Sequence, residues 1–166
     1  MARAAALALP LILIMPAAGS AQDTEGWGTG YHLGTAYAGL TNAGGAHLGV
    51  YCAAAAEDNP GVRGGPYVQF SLPRRLDPAP AAGTVTFAVD DRSFPVPMII
   101  DVGEASTTFD WAPGKAYTTD QMRTLVDALR RGKSLVVTLT DPETREPFSL
   151  AGSGSALDGI LDCARR

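Results

Sequence analysis

Two histidines are the first residues in this chain whose type and spacing could support chemistry. His32 and His47 each begin a His-Leu-Gly triplet, and His47 lies in a segment with a hairpin pattern. Two imidazoles on or near adjacent strands could bind a metal ion. Because no Cys, Asp or Glu stands at ligand spacing beside them, the pattern favours two exposed or edge imidazoles. We therefore predict no metal site and no cofactor.

Serine-based hydrolysis is the second chemistry to consider, because the chain contains Ser, His and Asp. Ser153 and Ser155 follow Gly152, but they lack the flanking glycines of a Gly-x-Ser-x-Gly nucleophile motif at the right offsets. The segment is more simply a strand-to-helix turn, whose backbone N–H groups could hold an anion as any helix start can. We predict no catalytic residue.

Charged pairs offer two weaker candidates. Asp90 and Asp91 could bind calcium, but a loop that supplies several spaced oxygen ligands is missing, so a solvated turn is favoured. Arg63, Arg74 and Arg75 could bind an anionic glycan or a lipid phosphate. They lie on loops at the two ends of one predicted strand, which argues against a single basic patch.

The first 21 residues predict a secretory signal peptide. Arg3 supplies the positive start, an apolar run follows, and small residues at positions 19–21 precede a predicted cleavage before Gln22. The apolar run is too short to be a good membrane span, which argues against an uncleaved anchor. We expect a bacterial periplasmic or secreted protein with one domain, residues 22–166, and no stable transmembrane segment after cleavage.

The net charge of −4 gives no electrostatic case for nucleic acid binding. Cys52 and Cys163 are the only cysteines, and an exported protein meets an oxidising compartment, so we expect one disulfide between them. It would close a loop of about 110 residues, which the chain-entropy model values at roughly 4–5 kcal/mol. The alternative is two free buried thiols.

Alternating apolar residues predict an antiparallel sheet after a loose lead-in at 22–30 that contains Trp27. Pro95 and Pro97 cannot donate to a strand ladder, so the first half of their strand is an edge or unpaired. The predicted strands are 34–41, 46–53, 67–72, 83–90, 92–102, 106–111, 134–140 and 148–150.

Two helices complete the prediction. The first, about 118–131, has Thr118 as its N-cap, Gln121 completing a capping box, and Gly132 at its end. The second, about 154–164, has one apolar face made of Leu157, Ile160, Leu161 and Ala164. The fold class is therefore α+β, an antiparallel sheet or sandwich with two packed helices.

The order of these elements resembles a known family. A strand ending in an Asp turn is followed by a strand with Trp111, an amphipathic helix and a Phe-x-Leu-x-Gly strand end before Cys163, with Leu-Gly-Val-Tyr-Cys at 48–52 upstream. The chain resembles small bacterial periplasmic proteins of the type VI secretion-associated VasI kind and, more distantly, invasion-associated locus B proteins. The resemblance implies an envelope accessory role without an established catalytic site. The residues that it assigns structural roles are Cys52, Trp111, Phe148, Gly152 and Cys163.

These observations predict a non-enzymatic periplasmic accessory or interaction protein of the cell envelope, associated with secretion or invasion. The expected partner is an envelope or secretion-machinery protein, and the expected contact surfaces are the Pro-rich loops or the edge near Pro95 and Pro97. The alternative is a small periplasmic hydrolase or ligand-binding domain. A deep cleft with polar side chains from several strands would favour the alternative, and a filled core with flat faces the first. The sequence leaves the oligomeric state open.

Overall fold

A computed structural model describes residues 26–53, 65–77, 82–111, 116–139 and 144–163. The predicted signal peptide and the loop at 54–64 lie outside these residues. The elements in the described part are β1 (Gly28–His32), β2 (Thr35–Thr41), β3 (His47–Ala53), β4 (Gly65–Leu72), β5 (Ala82–Val89), β6 (Arg92–Val102), β7 (Thr107–Trp111), α1 (Thr119–Arg131), β8 (Ser134–Thr138), β9 (Arg145–Ser149) and α2 (Ser153–Cys163).

The described strands form one antiparallel nine-stranded sheet in the order β1-β2-β3-β4-β7-β6-β5-β8-β9. The sheet curls into a half-barrel, and the predicted α+β class with two helices is confirmed. The strands belong to one curled sheet rather than to the two layers of a sandwich. Curling allows a single sheet to enclose its own core, which the helices then cover.

The core lies on the inner face of the curl, where every second strand residue is apolar. Val68, Phe70 and Leu72 of β4 are fully buried, as the alternation predicts. The helix α1 packs against β4 and α2, and α2 also packs against β2 and β3. The buried helix residues include Met122, Leu125, Leu129, Leu157 and Ile160. None of the helices in the described residues is long and apolar enough to cross a membrane.

Local sequence signals set the helix ends. Thr118 and Gln121 form the predicted capping box, in which each side chain accepts a hydrogen bond from the other residue's backbone N–H. Gly132 follows the last helical residue, and its N–H donates to the Ala128 carbonyl. A Cβ at Gly132 would come within 2.6 Å of Val89, so tight packing requires glycine there. The second helix begins at Ser153, one residue before its predicted start.

The first strand corrects the prediction of a loose lead-in at 22–30. Gly28–His32 carries no apolar alternation, yet it pairs along its whole length with β2. The connection is a two-residue turn at Leu33 and Gly34, whose φ angles are +46° and +82°. Positive φ at both central residues is typical of the type I′ turn that favours tight hairpins. Trp27, just before the strand, is partly buried against the core.

A contact that the sequence does not predict joins the β2–β3 turn to the last strand of the sheet. The Asn42 side-chain amide, in the turn between β2 and β3, donates to the Pro147 carbonyl at 3.0 Å and to Glu146 Oε2 at 3.2 Å in β9. Arg74 also reaches Glu146, at 3.2 Å. A turn that the sequence predicts only as a hairpin connection therefore ties the first strands to the last one.

The proline-containing strand behaves as predicted. β6 pairs with β5 from Arg92 to Ile99, but it pairs with β7 only from Met98 onward. Among the described strands, the half that contains Pro95 and Pro97 thus has a neighbour on one side only, and the predicted edge is confirmed.

Candidate binding site

A groove of about 770 Å³ lies on the outer face of β1, β2, β3 and β4, opposite the core. We call it the tyrosine groove. The residues that line it are Gly28, Thr29, His32, Leu33, Thr35, Tyr37, Ala38, Gly39, His47, Tyr51 and Tyr67. Both histidines that the sequence singled out belong to this surface.

Three tyrosines form one wall of the tyrosine groove because the strand register aligns them. Tyr37 is paired with Tyr51, and Tyr51 with Tyr67. The ring centroids of Tyr51 and Tyr67 are 5.2 Å apart with nearly parallel planes, and those of Tyr37 and Tyr51 are 6.4 Å apart. Such cross-strand aromatic neighbours stabilise each other and the sheet.

Glycines make room for these rings. Gly28, Gly39 and Gly49 are paired in one row next to the tyrosine row. A Cβ at Gly49 would come within 2.5 Å of the Tyr51 ring, and a Cβ at Gly30 would overlap the ring of Tyr37. The absence of side chains therefore lets the rings lean over the backbone and leaves an open trough beside them.

A chain of polar contacts runs from the tyrosine wall across the next strands. The Tyr51 hydroxyl donates to Gln69 Oε1 at 3.3 Å, and Gln69 Nε2 donates to Asp110 Oδ1 at 3.0 Å. Burial, with smaller contributions from Tyr67, Asp110 and Tyr37, raises the pKa of Tyr51. The phenol therefore stays protonated at neutral pH and keeps its hydrogen bond.

His47 lies on the opposite side of the glycine row. Its Nδ1 is 3.1 Å from the Thr41 hydroxyl, and burial lowers its pKa, so the imidazole is neutral at pH 7. His32 is opposite Thr35 on β2, whereas His47 is opposite Thr41. Six residues of strand separate those two positions, a distance of about 20 Å, so one metal ion could not bind both histidines. The described residues contain no cluster of three or more metal-ligating side chains.

The two candidate serines are at the start of α2, on the core side of the sheet. Ser153 is buried and its hydroxyl donates to the Arg130 carbonyl at 3.3 Å, while the Ser155 hydroxyl donates to the Gly152 carbonyl at 3.2 Å. The sheet separates these hydroxyls from both histidines on its outer face. Gly152 has a φ of +83°, which explains why glycine suits the turn between β9 and the helix.

Asp90 has a structural role. It occupies the turn between β5 and β6 with a φ of +50°, and its carboxylate accepts hydrogen bonds from the backbone N–H groups of Lys133 and Ser134 and from the Ser134 hydroxyl. These donors, led by the Ser134 backbone, lower the pKa of Asp90. The carboxylate therefore joins the β5–β6 turn to the start of β8, whereas Asp91 is exposed.

The residues with predicted structural roles lie in or beside the core. Trp111 is buried and its ring meets Tyr117 edge-on, and Phe148 is buried with its ring edge-on to Phe70. Cys52 is fully buried in the core. Cys163 is the last residue of α2, but its side chain lies outside the described part of the chain, so its pairing with Cys52 stays a prediction.

The arginines do not form one basic patch in the described residues. Arg74 pairs with Glu146 and also donates to the Thr144 hydroxyl, and Arg75 is exposed beside it. Arg63 lies outside the described residues. An anion site built from these arginines thus finds no support in the part of the chain that the structure describes.

The sequence predicted outward-facing polar residues on these strands but not the tyrosine groove. The signal was available in the spacing of the three tyrosines, which a fixed hairpin register would have aligned. The sequence did not fix that register, because the Ala and Gly residues of β2 give little apolar alternation.

A family model described as YfjT matches residues 25–157, which include every element from β1 to β9. The chain belongs to the YfjT family. No curated protein and no solved structure matches it. The YfjT match does not address the resemblance to VasI-kind or invasion-associated locus B proteins, which stays a prediction.

Proposed function

We propose that this YfjT-family protein is a non-enzymatic accessory protein of the bacterial cell envelope that binds a partner through the tyrosine groove. The observation that carries the proposal is the groove itself, an open surface across four strands with three aligned tyrosines. Tyrosine suits binding surfaces because its ring contributes apolar contact area and its hydroxyl a hydrogen bond.

The chemistry of the tyrosine groove favours binding over catalysis. Among the described residues, its lining has no Asp, Glu, Lys or Arg side chain and no serine or cysteine. A hydrolase needs a nucleophile and a base within hydrogen-bond reach of each other. The described serine candidates Ser153 and Ser155 are on the other side of the sheet and bond to backbone carbonyls.

The predicted contact surface near Pro95 is the second described hollow. It measures about 420 Å³ and is lined by the start of β6 and by α1, with Phe94 and Tyr117 as its aromatic residues. We favour the tyrosine groove because it is larger and carries more aromatic surface.

A ligand-binding domain is the second candidate function. The volume of the tyrosine groove lies within the range of small-molecule sites, about 300–1,000 Å³. A small ligand and a protein partner would use the same tyrosines, so the experiment must separate them.

The test is affinity capture of the mature protein, cross-linked in its own envelope and analysed by mass spectrometry. Tyr51→Ala with Tyr67→Ala should lose a specific partner that the wild type recovers, and Tyr51→Phe should weaken recovery less because it keeps the ring. Ile99→Ala is the matched control, since Ile99 is 52% exposed on the same outer face but lies outside the groove.

Recovery of the same partner by the double tyrosine variant would contradict the groove proposal. Recovery of no partner, together with binding of a small envelope metabolite to the wild type only, would favour the second candidate. Mass spectrometry of the same sample also tests export, because the mature protein should begin at Gln22. An unprocessed chain in the cytoplasm would contradict an envelope role.

A further inference from the structure

The outer edge of β1 exposes backbone hydrogen-bonding groups. The residues that flank a two-residue hairpin turn exchange hydrogen bonds with each other, so His32 and Thr35 form such a pair. Bonded pairs alternate along an antiparallel ladder, so Gly28 and Gly30 also bond to β2. The N–H and C=O groups of Thr29 and Tyr31 therefore point away from β2, and no described strand pairs with them.

Exposed apolar side chains concentrate at the same edge. Four large apolar residues are exposed in the described chain, and three of them are in the β1–β2 hairpin: Tyr31 at 74%, Leu33 at 89% and Tyr37 at 40%. Leu33 also has a positive φ of +46°, which is unusual for a bulky side chain in a turn that favours Asn or Gly. A clustered apolar surface of this kind is typical of an interaction site.

Within the described residues, the β1 edge carries none of the common features that prevent strand pairing. Sheet edges are commonly protected by charged side chains, proline or bulges. The sequence Gly-Thr-Gly-Tyr-His of β1 contains no proline, no lysine and no carboxylate. Its backbone is therefore open to a further strand.

We propose that β1 pairs antiparallel with β1 of a second copy of this chain, about a two-fold axis at Gly30. In this register Thr29 faces the partner's Tyr31 and Tyr31 faces the partner's Thr29. It satisfies every outward N–H and C=O of Thr29 and Tyr31 in both copies. Pairing Thr29 with its own equivalent, or Tyr31 with its own, would satisfy fewer of these groups.

The side chains fit this register. On the outer face Gly30 lies opposite the partner's Gly30, which leaves space above the axis. The ring of Tyr37 leans over Gly30, so the two Tyr37 rings of the dimer meet in that space. On the inner face Tyr31 packs against the partner's Thr29, and such cross-strand pairs stabilise antiparallel sheets.

A second copy fits better than another extended chain because the pattern is self-complementary. The outward positions Thr29 and Tyr31 lie on either side of Gly30, so a two-fold axis at Gly30 places each of them opposite the other in an isologous interface. Because β1 contains no Asp, Glu, Lys or Arg, two copies of the strand meet there without like-charge repulsion. This inference goes beyond the proposed function and does not depend on it. Its residues, Thr29 and Tyr31, are also different from those varied in the capture experiment.

Sedimentation equilibrium of residues 22–166 over a range of concentrations tests the dimer. The wild type should show a monomer–dimer equilibrium. Tyr31→Pro should raise the dissociation constant at least about tenfold, because it removes an outward N–H and leaves its acceptor unpaired. Tyr31→Thr keeps the backbone N–H and is the matched control, with a smaller effect expected. Circular dichroism melting checks that each variant is folded.

Cysteine cross-linking tests the register even if Tyr31→Pro fails to fold. Hydrogen-bonded antiparallel pairs have Cα atoms about 5.5 Å apart, a distance that a disulfide spans. A mixture of Thr29→Cys and Tyr31→Cys proteins should cross-link more than either protein alone.

Three outcomes would overturn the proposal: a wild type that is monomeric at every concentration, a Tyr31→Pro variant that dimerises like the wild type, or equal cross-linking in the mixture and in the separate proteins. A monomer whose β1 edge captures a different protein would overturn it as well.

Discussion

The two edges of the sheet, β1 and β9, differ in how their outward backbone groups are satisfied. In β9 the even-numbered residues bond to β8, as the bonds from Leu139 to Thr144 and from Leu150 to Lys133 indicate. The outward positions are therefore Arg145, Pro147 and Ser149. The central one, Pro147, has no N–H, and its carbonyl accepts from the Asn42 side chain. In β1 the outward positions are Thr29 and Tyr31, and they have neither feature.

This difference shows that edge protection is built by particular residues rather than by the sheet as a whole. β9 combines a proline, the neighbouring charges of Arg145 and Glu146, and an amide from the other end of the sheet. β1 combines glycine, threonine and tyrosine with an exposed apolar turn. The centre of β9 is protected within the chain, whereas the described part of β1 has neither a proline nor such a contact.

The largest effect is expected from loss of the predicted disulfide at Cys52 on β3. Cys52→Ser should lower the free energy of unfolding by about 2–5 kcal/mol, because the predicted disulfide to Cys163 restrains a long loop in the unfolded chain. Urea denaturation measures the loss, and Cys163 should become reactive toward an alkylating reagent. Two alkylatable thiols in the unreduced, denatured wild type would contradict the pairing.

Asn42→Ala tests the closure of the β9 edge. Asn42 is buried, and its Oδ1 accepts a hydrogen bond from the Ala46 N–H. Its side-chain NH₂ donates to Glu146 Oε2 and to the Pro147 carbonyl. We expect a loss of about 2–4 kcal/mol in the free energy of unfolding, because several buried groups lose their partner. The denaturation midpoint measures it. A loss below about 1 kcal/mol would mean that water replaces the amide and that the edge is not closed by this contact.

Pro147→Thr should add an outward backbone N–H at the centre of β9 and so remove the protection that proline gives this edge. The free energy of unfolding should change by no more than about 1 kcal/mol, because the position faces away from β8. The new outward N–H should permit strand pairing at β9 as well, so chains joined through both edges should form open-ended assemblies. Light scattering detects them. A variant with the same size distribution as the wild type would show that the Asn42 contact alone protects β9.

The free energy of unfolding should depend on pH because burial lowers the pKa of His47 on β3. The unfolded chain, with an ordinary histidine pKa near about 6.5, binds the proton more readily than the folded chain. The stability contribution is therefore present above about pH 6.5 and is lost as the pH falls toward the lower pKa of the folded state. Urea midpoints at several pH values measure it, and His47→Gln should flatten the slope. An unchanged slope would assign the pH dependence to other groups.

The smallest effect is expected for Arg74→Gln, which removes the ion pair with Glu146 but keeps the Asn42 contacts. Arg74 is 46% exposed in its side chain, so the loss should be below about 1 kcal/mol and should shrink further at high salt. Urea denaturation at two salt concentrations measures it. A loss as large as that of Asn42→Ala would make the ion pair, rather than the amide, the main closure of β9.

The elements with their own local signals were predictable from sequence. The capping box at Thr118 defined α1, and the turn at Asn42 defined the β2–β3 hairpin. β1 was not predictable, because Gly28 and Gly30 carry no apolar pattern and the strand forms only through pairing with β2. The contacts of Asn42 with β9 join residues 104 and 105 positions apart, a separation at which local patterns carry no information. The tyrosine groove likewise required the register of four strands.

The position of α2 after all of the described strands has a consequence for the order of folding. This helix packs on the inner face of β2, β3 and β4. Apolar residues of these strands, such as Leu48 and Val50, therefore stay uncovered until α2 has formed. A chain delivered from its N-terminus cannot complete this core while it is still being synthesised or translocated. The early strands therefore expose apolar surface until α2 has formed. A chain truncated before Ser153 should depend on a holding chaperone to remain soluble.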